Sequence, residues 1–153
     1  MLTPSQYTAL NTELTTDPLK IGYSAELNIS DIAVAGMLNA TTGNGAATVN
    51  LPSLSHDDFA ILIAPVVMNL SAATAALQAQ WTPMLALLGG VQNVVLNAQN
   101  LGLLNALSTD FPNQLPASAV TSATTRMGSR MEVLFGVGTV AHWQDVAKAM
   151  GRM

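Results

Sequence analysis

Apolar residues recur along this chain at helical spacing, and the strand-like alternation of apolar and polar residues is confined to one short run. The first pattern is a helix with a complete start. Thr3 stands as N-cap, Pro4 takes the first helical position, Gln6 completes a capping box, and Leu2 and Tyr7 are placed for a hydrophobic staple. A helix is expected over residues 4 to about 15, with Tyr7, Leu10 and Leu14 on one face, ended by Asp17-Pro18 because a residue before proline avoids the α region. Residues 19–28 read as a polar connector with Lys20, Tyr23 and Glu26 solvated. A second helix starts at Asn28 or Ser30, turns Ile32, Met37 and Leu38 inward and fades at Asn39. A turn at Gly43-Asn44-Gly45 follows. The alternation over 47–51 predicts a short strand or hairpin arm, read as a loop able to pair with a neighbouring chain, because one strand cannot form a sheet.

From Phe59 to Ser108 the pattern changes: the stretch holds no Asp, Glu, Lys, Arg or His and is interrupted only by neutral polar residues such as Asn69, Gln78, Gln80, Asn97 and Asn105. Amides exchange hydrogen bonds without the desolvation cost of a charge, which suits helices packed on helices. Ser55-His56-Asp57-Asp58 reads as the cap and acidic first turn of a helix over 59–68 that breaks or bends near Pro65. Further helices are expected over 71–81, restarting at Thr82-Pro83 up to Leu88 and stopped by Gly89-Gly90, and over 97–107, ending before Phe111-Pro112. One helix is placed over 116–135 and a last one over 142–150, with His142 and Asp145 in a capping arrangement and Gly136-Val137-Gly138-Thr139 as the turn between. The expected fold is mainly α, a compact bundle of about six short helices with at most one short β-hairpin or strand. It forms a single domain over 1–153, with an uncharged packing centre at 59–108 and basic C-terminal helices at 116–153.

Composition sharpens this picture. Charged residues make up 9% of the chain and apolar ones 50%, against about 25% charged in ordinary soluble proteins, so much of the surface is expected to be covered by other protein. A net charge of −4 argues against general affinity for nucleic acid, which needs a basic face. The absence of cysteine rules out disulfides and thiolate metal sites. The opening residues lack a basic and apolar leader, so a cytoplasmic origin is expected. Residues 59–77 come nearest to a membrane span, but Pro65, Asn69 and the lack of flanking basic residues favour a buried hairpin, and no membrane partner is expected.

The candidate chemistry is sparse. His56, Asp57 and Asp58 are the one cluster resembling a metal or acid–base site, yet neighbours on a helix point apart and the second histidine, His142, is distant in sequence. Ser55 lacks a nucleophile context. Gly136-Val137-Gly138 supplies half of a dinucleotide fingerprint without its third glycine or preceding strand, and reads as a helix stop with Gly136 free to adopt positive φ. Arg126 and Arg130, spaced to share a helical face, are expected to form salt bridges, with Glu132 and Asp145 as candidate partners, or to touch a neighbouring subunit. No catalytic, cofactor-binding or metal-binding residue is assigned. The candidate subunit-interface residues are Arg126, Arg130, Trp143, Lys148 and Arg152.

The run Ser129-Arg130-Met131-Glu132-Val133-Leu134-Phe135-Gly136-Val137-Gly138-Thr139, with Trp143-Gln144-Asp145-Val146-Ala147-Lys148-Ala149, resembles the ending of a group of small tailed-bacteriophage proteins. Leu2-Thr3-Pro4-Ser5-Gln6 and Thr15-Thr16-Asp17-Pro18 resemble their beginning. The resemblance implies a helical, non-enzymatic virion structural protein without a cofactor. The expectation is a head–tail connector or adaptor subunit, a homo-oligomeric ring that meets portal and tail proteins in the virion after synthesis in the host cytoplasm. A capsid-decorating or tail-terminator protein, a membrane-active holin-like protein, and a small metal-dependent enzyme built on His56, Asp57, Asp58 and His142 are the alternatives.

Overall fold

A computed structural model of the chain describes residues 2–88 and 90–153. Among these residues it holds nine α-helices, one 3-10 turn and four short strands. The mainly α class stands; the helices outnumber the expected six, and two two-stranded sheets replace the single hairpin or strand. The chain divides into two compact units, one formed by residues up to Val49 together with Met127–Met153, the other by Asn50–Arg126.

In the first unit, helix α1 (Pro4–Thr16) starts as its sequence dictates: the Thr3 hydroxyl accepts from the Gln6 amide, and the Gln6 side chain accepts from the Thr3 amide at 2.8 Å. It ends at the expected place, with the residue before Pro18 outside the right-handed α region. Asp17 adopts a left-handed φ of 42°, and its carboxylate accepts from the amides of Ile21 and Gly22, both at 2.7 Å. The connector that follows is not simply polar: α2 (Tyr23–Glu26) forms within it and carries Tyr23 into the core, fully buried. Helix α3 (Asp31–Asn39) is capped by Ser30 and buries Val34, Ala35 and Leu38; Ile32, expected inward, is 71% exposed. The unit is completed by α8 (Arg130–Phe135) and α9 (Trp143–Ala149), and α9 packs on both α1 and α3. The Asn39 side chain fixes this arrangement by bonding both backbone groups of Ala141, each at 2.8 Å.

The second unit contains β2 (Ser53–Ser55), α4 (His56–Asn69), a 3-10 turn (Leu70–Ala72), α5 (Ala75–Leu88), β3 (Asn93–Val95), α6 (Ala98–Asp110) and α7 (Ala117–Thr124). Ser55 caps α4 as expected, accepting from the Asp58 amide at 3.1 Å. The helix then runs through Pro65 without ending, and α5 likewise runs through Pro83. In each case buried side chains lie on both sides of the proline, Ile63 and Val66 in α4 and Trp81 and Leu85 in α5. Core packing outweighs the single backbone hydrogen bond that proline removes. Of the expected Gly89-Gly90 stop, Gly89 lies outside the described residues. Asn97 caps α6, and the core gathers Phe59, Val66, Trp81, Leu104, Leu107 and Leu115 around the stretch lacking ionisable groups.

The largest departure from expectation is at 116–135, where one helix was predicted and three elements occur: α7, β4 (Thr125–Gly128) and α8. The hydroxyls of Thr121, Thr124 and Thr125 each donate to the carbonyl four residues back at 2.7 to 3.0 Å, as the threonines of the intact α1 do, so these bonds by themselves do not end the helix. Strand pairing then takes over. β1 (Ala47–Asn50) pairs with β4 of its own chain, which replaces the expected pairing with a neighbour. Gly128 is required there because a Cβ would lie 2.7 Å from both methyl groups of Val49. Ser129 and Glu132 then open α8 with a fresh capping box.

Candidate functional site

Two surfaces gather side chains that could act on something: a polar cleft in the first unit and an apolar groove in the second. The cleft, about 920 Å³, lies along the N-terminal end of α1, the loop at 138–140 and α9. At its centre the Tyr7 hydroxyl donates to Asp145 Oδ1 at 2.9 Å, while the His142 amide donates to Asp145 Oδ2 at 3.0 Å. The capping arrangement expected for His142 and Asp145 is therefore present. Lys148 Nζ stands 4.6 Å from the centroid of the Tyr7 ring, a cation–π contact. The hydrogen bond to Asp145, more than burial, raises the Tyr7 pKa and keeps the phenol protonated. Asp145 is buried with both oxygens engaged, so it tethers α1 to α9. Asn11 reinforces the same seam by donating to the Ala149 carbonyl at 2.8 Å.

Deeper in this unit lies a charged pair that the sequence reading did not find. Arg130 grips Glu13 with two parallel bonds, Nε to Oε1 at 2.8 Å and Nη2 to Oε2 at 2.7 Å. The Glu13 side chain is 4% exposed and that of Arg130 14%. The Tyr23 hydroxyl points to Glu13 Oε1 at 3.4 Å. Burial, followed by the negative charge of Glu13, pushes the Tyr23 pKa far up, and the bonds to Glu13 raise that of Arg130. A signal was available: Glu13 sits between Leu10 and Leu14 on the buried face of α1, and a carboxylate inside an apolar stripe needs a cation.

The five candidate interface residues meet different fates. Arg130 is committed to Glu13, in place of the Glu132 or Asp145 expected from spacing. Arg152 donates to Asp31 Oδ1 and, at 2.6 Å, to the Leu27 carbonyl. Lys148 lies over Tyr7, and Trp143, at the start of α9, is 46% exposed. Arg126 is on β4 and Arg130 on α8, so the shared helical face is absent. His56 uses Nδ1 on the Val91 carbonyl at 3.1 Å, and the Asp58 carboxylate accepts from the Ser55 hydroxyl at 2.6 Å. Both sit in the cap of α4. Among the described residues no group of three or more His, Asp or Glu side chains is placed to hold a metal ion.

The groove of the second unit, about 420 Å³, has Leu51, Leu54, Ile61, Leu62 and Ala123 on its walls and Asp58 at its rim. Ile61 and Met68, two turns apart on α4, are each 73% exposed, and Val67 beside them is 49% exposed. No helix among the described residues is long and apolar enough to cross a membrane; α4 and α5, with 14 residues each, span only about 21 Å. Compared with known protein families, with curated proteins and with solved structures, the chain matches none.

Proposed function

We propose that this chain is a bacteriophage virion structural protein, a head–tail connector subunit that assembles as a ring between portal and tail. The observation that carries the reading is the outer face of α4, where Ile61 and Met68 stand 73% exposed on a helix without a charge beyond its first turn. A surface of this kind, on a chain with 9% charged residues, is stable in water once another protein covers it. The protein's own cations strengthen the point: Arg130 and Arg152 are spent on internal pairs, so assembly relies on apolar contact more than on ion pairs. The interface residues of the proposal are accordingly those of the α4 face, Ile61, Val67 and Met68. The resemblance of the two ends to small tailed-phage proteins supports the same reading. The reading asks for no cofactor.

Light scattering after size exclusion, with electron microscopy of the same fraction, tests the proposal. A closed ring in the soluble fraction is expected. A monodisperse monomer at high concentration overturns it, and recovery in the membrane fraction shifts the reading to a holin-like protein.

A further inference from the structure

Building on that reading, we infer that the groove of one subunit receives the Leu19-Lys20 turn of the next, so that copies join head to tail. The groove needs an occupant with two properties. Its walls are apolar, from Leu54, Ile61, Leu62 and Ala123, and its rim carries the carboxylate of Asp58, with Asp57 exposed beside it in the same helical turn. An apolar side chain next to a cation satisfies both.

The chain offers such a pair. Lys20 is exposed, and among the described residues its ammonium has no hydrogen bond, ion pair or ring contact, while Arg130, Arg152 and Lys148 are occupied within the chain. Leu19, its neighbour, is 41% exposed. The turn that presents them is rigidly held: Asp17 caps it with two 2.7 Å bonds to the amides of Ile21 and Gly22, its carbonyl accepts from the Lys20 amide at 2.9 Å, and Lys20 is fixed at a positive φ of 55°. A preformed knob loses little conformational entropy on docking. Another exposed apolar pair of the first unit, Ile29 and Ile32, flanks Asp31, whose charge is already taken by Arg152, and brings no cation to Asp58. Because knob and groove are different surfaces, the contact is heterologous: it propagates from copy to copy and closes into a ring when the rotation allows.

The absence of cysteine in the chain makes the test clean. Leu19→Cys with Ile61→Cys, oxidised in the full-length protein, is expected to give a ladder of covalent multimers on non-reducing gels, and neither single variant should give more than traces. Three results overturn the inference: an oxidised monomer closed within one chain, dimers from Ile61→Cys alone, which mark a two-fold α4 contact, and no cross-link at all. Lys20→Glu, on an exposed side chain, is expected to weaken assembly about two- to fivefold, and Leu19→Asp on the order of tenfold. Combining Lys20→Glu with Asp58→Lys should restore assembly, provided circular dichroism shows α4 still folded; unchanged assembly in Leu19→Asp overturns the inference independently of the charges. A closed ring without the cross-link leaves the connector reading standing and removes this contact. A ladder from an open filament does the reverse.

Discussion

The two units of this protein solve the problem of stability with opposite materials. The first buries charge. Glu13, Glu132 and Asp145 are each at most 9% exposed, and its elements are joined by side-chain bonds such as Arg130 to Glu13 and Asn39 to Ala141. The second buries hydrocarbon: among the described residues its buried polar side chains are the neutral Ser108 and Thr124, and the Trp81 indole donating to Asp110 at 2.7 Å is its one bond between a core side chain and a carboxylate. The difference teaches where each unit is specific. Directional bonds fix how the helices of the first unit meet, since an unpaired buried charge is costly. The second depends on shape and area, which constrain position less sharply and leave apolar faces such as that of α4 available to other molecules.

The largest effect should come from the hydrocarbon side. Phe59→Ala empties a fully packed site, 1% exposed, and is expected to cost ~3–5 kcal/mol. Hydrogen exchange should show the lost protection within 50–126; an equal loss in α1 and α9 would break the contrast. Slightly smaller is the loss from Arg130→Met, which strands the buried Glu13 carboxylate and should cost ~3 kcal/mol in a urea titration. Arg130→Lys should recover only part of it, because an ammonium cannot reproduce the paired Nε and Nη2 bonds. Full recovery by lysine would reduce the fork to a simple charge.

The smallest effect separates the units by pH. Tyr23 is held protonated in the folded state, its pKa raised from an ordinary 10.0. Its contribution is complete below that pH. As the pH climbs past it, the unfolded chain ionises first and the contribution is lost until the folded phenol ionises as well. Tyr23→Phe should therefore lose less stability than the natural protein between about pH 9 and pH 11, measured as the shift in urea midpoint. Parallel losses in both proteins would show that the phenol plays no part in alkaline unfolding.

Local chemistry was legible wherever neighbours in sequence are also neighbours in space. The caps at Thr3, Ser55 and His142 are set by residues three apart, and Gly136 ends its helix at the expected positive φ of 101°. Legibility failed where distant segments decide. Tyr23 reads as a solvated connector residue until Glu13 and Arg130 are placed beside it. The stretch at 125–128 reads as helix until β1 supplies a partner strand. Of the candidate interface residues, Arg130 and Arg152 read as available cations, and only folding shows them held by Glu13 and Asp31.

The sequence alone thus determined the mainly helical class, the starts of α1, α3, α4, α6 and α9 and the uncharged stretch that became the core of Asn50–Arg126, because periodicity and capping act within a few residues. Tertiary structure alone decided that helices continue through Pro65 and Pro83, that a predicted helix yields a strand at Thr125–Gly128, and which carboxylate each arginine meets. Burial and pairing across long stretches of chain carry more free energy than any local preference, and they exist only once the chain has folded.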